Sequence, residues 1–333
     1  MDNFELVCGT DPGVANRKFD LLLAVLTFLG VPFHEVVRPC TRFIHLGYGV
    51  DTRKWVVFVP TQRAQWMTSY LVPWASTRFC SLAELESVTG VLMFLAAIFT
   101  FIKPSTKVCY ALIASTKKRI AQGRKSALVR FTPQLRATAL FSEYVVRTLN
   151  GEWSINNIFP TAVTCIIFGD AGLTVSDIDP SVVWGRGAYS KTSREFFALT
   201  WPRWVLNLAY RNSKFSSTYV EVFTMVSAVA TFAPDGARVE LNTDSQPAYH
   251  CFQRNFSKCP LICELLHALY YHCMQHNIVI VRVVWVRRHL NTASDLLSHG
   301  RIQEFHVAMA GEVYTEVPVI DLRPLRLQPA RRA

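Results

Sequence analysis

Apolar and polar positions alternate along this chain with two different periods, and the change between them divides it. Phe19 to Leu29 is an apolar stretch of helical spacing, closed by Gly30 and Pro32. Arg42 to Val50 and Trp55 to Val59 are strand-like, with the polar turn Asp51-Thr52-Arg53-Lys54 between them, so they predict a hairpin. A short helix is expected over Gln62 to Leu71. Ser81, with Glu84 three residues on, matches a capping box and predicts a helix start. The run Ser87 to Ile102 carries no charge but is shorter than the roughly 20 residues a membrane span needs. It reads as a buried helix, followed after Pro104 by another near Lys107 to Ile120.

Beyond the loop signals Asn150-Gly151 and Asn156-Asn157 the period becomes that of strands. Ala162 to Phe168, Val182 to Tyr189 and Glu195 to Leu206 are strand candidates, the last ambiguous. Tyr219 to Phe232 reads as a helix and Arg238 to Thr243 as a short strand. A helix should begin at Pro247, and a long apolar one should span Cys259 to His276. Ile278 to Val286 is the clearest strand, and Thr292 to Ser298 a last short helix. Helices separate only the later strands. This order predicts an α/β fold over 161–300 with a five-stranded mixed sheet. Three strands should be antiparallel and two added in parallel, with Ala162 to Phe168 away from the edges.

Composition then narrows the partners. The chain has 333 residues, half of them apolar, and a net charge of +11. That is enough apolar material for a core and excludes a disordered chain. The basic excess favours a polyanion. From Ser87 to Ser142 there is no Asp or Glu, while Lys117, Lys118, Arg119, Arg124, Lys125, Arg130 and Arg136 lie within. Lys117, Lys118, Arg119, Arg124 and Lys125 are the candidate phosphate contacts; an ordinary solvated basic face is the alternative. Nine cysteines, an odd number, follow an N-terminus with Asp2, Glu5 and Asp11 where a cationic leader would stand. Reduced thiols in an intracellular protein, cytoplasmic or nuclear and not secreted, are expected. Leu322 to Ala333 reads as a disordered basic tail.

Four carboxylates stand out by placement. Asp170 is expected at the end of the first strand, Glu221 early in a helix, Asp244 between a strand and a helix, and Asp295 at the start of the last helix. Taken singly, such Asp residues serve as caps and turns. As an ordered set they could converge, and converging carboxylates are stable only if protonated or bridged by cations. Oxygen ligands select Mg²⁺ or Mn²⁺, and two such ions suit phosphodiester chemistry. Glu195 is the alternative glutamate. Cys259, Cys263 and His267 are ligand types that suit zinc, but the helix spreads them over about 12 Å, too far for one ion, so a packed face is the better reading. Trp201, Trp204 and Trp285 could stack on bases, though core packing is commoner.

Asn242-Thr243-Asp244-Ser245-Gln246 is similar to the third acidic motif of type 1 ribonuclease H. His289-Leu290-Asn291-Thr292-Ala293-Ser294-Asp295-Leu296-Leu297-Ser298 resembles the closing motif of retroelement ribonuclease H, and Phe168-Gly169-Asp170-Ala171 the opening one. Upstream, Met1-Asp2-Asn3-Phe4-Glu5-Leu6-Val7 resembles the catalytic turn of a reverse transcriptase. Ile44 to Thr52 resembles the stretch that ends its palm, and Val59-Pro60 with Arg63 the start of its thumb. In family order the match looks most like a retroelement polymerase polyprotein of the DIRS and Gypsy kind.

This resemblance implies a palm remnant at 1–70, basic thumb or connection helices at 71–136 and a linker at 137–160. A ribonuclease H-like domain at 161–305 and the tail at 306–333 would follow. It implies cleavage of the RNA strand of RNA–DNA hybrids with two Mg²⁺ or Mn²⁺ ions on Asp170, Glu221, Asp244 and Asp295. His289 would help product leave, and Ser245 and Gln246 would touch nucleic acid. No membrane partner is implied. Asn3 stands where a second polymerase aspartate belongs, and the fingers and most of the palm would lie upstream of residue 1, so no polymerisation is expected. A catalytically silent nucleic-acid-binding remnant is the alternative.

Overall fold

A computed structural model describes residues 11–29, 40–45, 48–123, 128–148, 152–154, 162–175, 183–210 and 213–322. The expectations on Met1 to Val7, on Asn150-Gly151, on Arg124 and Lys125, and on the tail beyond residue 322 lie outside these residues. The chain forms two units, Met1–Pro60 and Thr61–Ala333. The helix α2 (Thr61–Ser76) runs across the expected division near residue 70.

In the first unit α1 (Pro12–Phe28) begins earlier than expected. Asp11 caps it by accepting from the Gly13 and Val14 N–H groups, and Pro12 supplies a helix-ready φ at the first position. The stretch expected as one strand is two, β1 (Arg42–His45) and β2 (Tyr48–Asp51), followed by β3 (Val56–Phe58). All pair antiparallel in sequence order. The predicted Asp51 turn joins β2 to β3. Asp51 Oδ1 accepts from the N–H groups of Arg53 and Lys54, both at 3.0 Å.

The second unit opens with helices. A short ribbon pairs β4 (Phe79–Ser81) with β5 (Leu128–Arg130). Between them lie α3 (Leu82–Ile98) and α4 (Lys103–Ala121). The capping box forms: Ser81 Oγ accepts from the Glu84 N–H, and Glu84 accepts from the Ser81 N–H. The uncharged run buries Val88, Leu92, Leu95 and Ile102. Among the described residues no helix is long and apolar enough to cross a membrane. The expected linker at 137–160 is corrected. Its first part is α5 (Pro133–Thr148), which packs on α2 and α4. Phe141 and Val145 lie fully buried there, one helical turn apart, with the polar Ser142 and Glu143 between them. The short strand β6 (Glu152–Ser154) follows.

The rest is a mixed sheet with helices. Its strands are β7 (Cys165–Val175), β8 (Val183–Ser190), β9 (Glu195–Thr200), β10 (Arg238–Thr243), β11 (Val279–Trp285) and β12 (Thr315–Glu316). They lie in the order β11-β10-β7-β8-β9-β12. The pairs β7–β8 and β8–β9 are antiparallel; β10 pairs in parallel with β7 and β11. The five expected strands are present, and β7 is interior. A sixth, β12, adds in parallel to β9. The helices are α6 (Arg203–Tyr210), α7 (Ser216–Phe232), α8 (Gln246–Arg254), α9 (Pro260–Gln275), α10 (Thr292–Ser298) and α11 (Ile302–Ala308).

Three expectations change. The ambiguous stretch from Glu195 stops as a strand at Thr200, because Pro202 interrupts the ladder and α6 follows. Asp170 lies inside β7 rather than at its end, since the small residues Gly169, Ala171 and Gly172 stay extended beside β8. The expected tail from 306 is folded as far as residue 322. Phe305 and Tyr314 join a core cluster with Tyr189, Phe196, Leu296 and Leu297.

The C-terminal segment is latched. Arg186, 5% exposed, pairs with Asp321 at 2.5 Å, and Asp321 also accepts from Ser227 Oγ at 2.9 Å. Asp321→Ala leaves the guanidinium buried without its carboxylate. It should cost about 1.5–3 kcal/mol, the worth of hydrogen bonds to a charged group. Guanidinium denaturation should show a lower midpoint at unchanged slope; an unchanged midpoint would assign Asp321 no structural weight.

Candidate functional site

Each carboxylate of the predicted set comes from a different element, and the elements stack where β7 and β10 run side by side. Asp170 projects from β7 and is 7% exposed. Glu221 sits on α7, which packs on β7 and β8. Asp244 follows β10, where Ser245 caps α8 by accepting from the Ala248 N–H. Asp295 sits on α10, which presses Leu296 and Leu297 into the core beside β8. Gly187 of β8 makes that approach feasible. A Cβ there would stand 2.3 Å from the Ser298 nitrogen and 2.4 Å from Leu297 Cβ.

Two of the four, Asp170 and Glu221, are shifted by burial and by their neighbours. Burial is the first cause that pushes the Asp170 carboxyl up to about 6; Asp244 and Asp295 push the same way, while the Ser298 hydrogen bond opposes. Burial also holds Glu221 well above the usual carboxylate range, with Asp170 and Asp244 next. Glu221 Oε2 is buried without a hydrogen-bond partner. Such an acceptor is costly unless it is protonated or meets a cation.

Neighbours orient the remaining oxygens. Ser298 Oγ donates to Asp170 Oδ2 at 2.6 Å. Asn291, 1% exposed, donates through Nδ2 to Asp244 Oδ1 at 3.2 Å and to the Gly169 carbonyl at 3.3 Å. Arg288 reaches Asp295 at 3.4 Å. Among the described residues no group of three or more His, Cys, Asp or Glu side chains stands ready to hold a metal ion.

Sequence reasoning named the carboxylates but not Asn291, Ser298, Arg288 or His299 as members of the site. His299 also acts on Asp170, favouring its charged form. The signal for it was its position four residues after Asp295, one helical turn on. His289 is exposed on a short 3-10 turn, Arg288–Leu290. Glu195 accepts from Ser193 Oγ at the β8–β9 turn, which places it with the hairpin and not with the four carboxylates.

The basic residues are partly engaged elsewhere. Lys117 pairs with Glu86 at 2.7 Å, and Arg119 Nη2 donates to Thr116 Oγ1. Lys118 is exposed in the last turn of α4, where a cation also complements the helix dipole. Gln246 lines a groove of about 420 Å³ with Tyr249, His250, Val283, Val284 and Trp285. Trp285 is 42% exposed, and its Nε1 donates to the Asp244 carbonyl at 3.0 Å. Trp201 is buried and Trp204 packs on Phe223, so these two belong to the core. Cys259, Cys263 and His267 are buried on one face of α9, where His267 Nε2 meets Ser105 Oγ at 3.0 Å. The eight described cysteines form no disulfide among the described residues. No family model, no curated protein and no solved structure matches this chain.

Proposed function

We propose that the sheet-bearing part of the chain is a ribonuclease H-like nuclease. It would cut the RNA strand of RNA–DNA hybrids with two Mg²⁺ or Mn²⁺ ions, within a polyprotein of the retroelement polymerase kind. The observation that carries this reading is the set of four carboxylates from β7, α7, the end of β10 and α10, in which burial first, and then neighbouring carboxylates of the set, raise Asp170 (by Asp244 and Asp295) and Glu221 (by Asp170 and Asp244). The sheet order supports it, since β7 is central and β10 and β11 are added in parallel.

The residues fit hard cations. The donors are carboxylate oxygens, and the bare Glu221 Oε2 is an acceptor that a cation would satisfy. Asp170 and Asp244 would bridge, with Glu221 and Asp295 completing the shell. Two such ions, when bound, activate water and stabilise the leaving oxygen of the phosphodiester. The chain's own residues do the positioning. Ser298 sets Asp170 and Asn291 sets Asp244, and Glu221 would accept from the 2′-hydroxyl that distinguishes RNA. Gln246 and Trp285 offer a polar and an aromatic contact beside Asp244.

A second reading, hybrid binding without chemistry, is favoured by one observation. Arg288 already holds Asp295 and Asn291 already holds Asp244, so the carboxylates are engaged as they stand.

A substrate panel tests both. With Mg²⁺, the RNA strand of a hybrid should be cut, while duplex DNA and single-stranded RNA persist; EDTA should stop the reaction. Hybrid binding without cutting would decide for the second reading. Absence of both binding and cutting would sink both.

A further inference from the structure

The C-terminal end of α9 carries two imidazoles one helical turn apart. His272 and His276 stand at i and i+4, on one face of the helix. Their ring centroids are 4.3 Å apart, with planes inclined by 38°. His276 Nδ1 lies 2.8 Å from Asp235 Oδ1. Backbone bonds fix this grouping. The His276 N–H donates to the His272 carbonyl at 3.1 Å. The Gly236 N–H donates to the His276 carbonyl at 2.8 Å, and the Ala237 N–H closes the turn onto Pro234 at 3.0 Å. The turn that carries Asp235 is thereby fastened to the helix end. Gly236, at φ +78°, has the left-handed backbone this close approach requires. The side chains of His276 and Asp235 are 41% and 85% exposed, so a solute ion can reach them.

A ligating imidazole needs a neutral ring and an unprotonated nitrogen. Burial, followed by the neighbouring His276, pushes His272 down to about 4, which keeps it neutral at pH 7. A carboxylate at His276 Nδ1 favours the tautomer with the proton on that nitrogen, leaving Nε2 as the donor to metal. We propose that His272 and His276 chelate one transition-metal ion of the zinc type through their ring nitrogens, with Asp235 as the outer carboxylate that orients His276. Two imidazoles select zinc, copper or nickel over magnesium, and water would complete the coordination.

This pair is separate from the carboxylate centre. Asp235 precedes the start of β10, whereas Asp244 follows its end. A six-residue strand at about 3.3 Å per residue places roughly 20 Å between them. The proposal therefore stands whether or not the chain cuts RNA.

Calorimetric titration of the reduced, metal-stripped full chain with Zn²⁺ tests it. Wild type should bind one equivalent more than His272→Gln or His276→Gln. Asp235→Asn should keep that equivalent but hold it about 10- to 100-fold more weakly. Equal stoichiometry in wild type and both histidine variants, or no binding by wild type, would overturn the proposal. A second readout needs no variant. Wild type loaded with one equivalent of Cu²⁺ should show electron-spin coupling to two imidazole nitrogens, and a spectrum without that coupling would equally overturn it.

Discussion

In metal-free buffer at pH 7, Asp170→Asn should be more stable than the wild type, by on the order of 2–3 kcal/mol. The carboxyl is buried beside Asp244 and Asp295, and its folded-state pKa is raised to about 6. A raised acid binds its proton more tightly in the folded chain than in the unfolded one. Its penalty is therefore absent below the ordinary carboxylate range. It grows as pH rises towards about 6 and is constant above that. The gap between variant and wild type should vanish near pH 4 and open through pH 6. Glu221, also raised well above the usual carboxylate range, should add its own loss of stability as pH rises, in wild type and variant alike. Asparagine keeps the shape and can still accept from Ser298 Oγ, so the comparison isolates charge. Saturating Mg²⁺ should narrow the gap by stabilising the wild type alone. Urea melts at pH 4 and pH 7 check this. A gap of equal size at both values would mean that Asp170 is not charged against its neighbours.

Gly187→Ala should damage both stability and the site. Its Cβ would meet the Ser298 nitrogen at 2.3 Å and the Leu297 carbonyl carbon at 2.5 Å. These are backbone atoms with no rotamer to yield, so α10 must lift from β8. Overpacking of this kind costs about 1–3 kcal/mol. Lifting α10 also carries Ser298 from Asp170, a contact of 2.6 Å, and shifts Asp295 with it. The upward shift of Asp170 should change, and any cleavage should fall further than stability alone explains. Gly90→Ala in α3 is the contrasting control, since a Cβ there meets nothing within 4 Å. It should be neutral or gain up to about 1 kcal/mol from helix propensity. If both substitutions behave alike, close contact at Gly187 does not position α10.

Much of the fold was legible because its signals are local. The Ser81–Glu84 box, the Asp51 turn and the β-branched run Ile278 to Val286 each rest on neighbouring residues, and each forms. The misreadings concern long-range packing. Gly169-Asp170-Ala171-Gly172 has the composition of a turn, yet Gly169, Asp170 and Ala171 pair with β8 and the strand continues. Thr315-Glu316 carries no strand signal and pairs because β9 offers an edge. At the site, the acidic residues were visible as an ordered set along the chain, although Asp170 lies inside β7 and not at its end. Asn291 and Ser298 were not, since what gives them a role is the approach of α10 to β7. That approach depends on a glycine in a different strand.

The most direct measurement pairs cleavage with binding for one substitution. RNA-strand cleavage of a labelled hybrid in Mg²⁺, and hybrid affinity without metal, should be measured for wild type and Asp244→Asn. Wild type should cleave. Asp244→Asn should lose about 10³-fold in rate, since a metal ligand supplies several kcal/mol of transition-state stabilisation. Its hybrid affinity should be unchanged or slightly higher, because one negative charge has gone. Cleavage by Asp244→Asn at the wild-type rate would contradict the assignment of these four carboxylates as one metal-dependent centre.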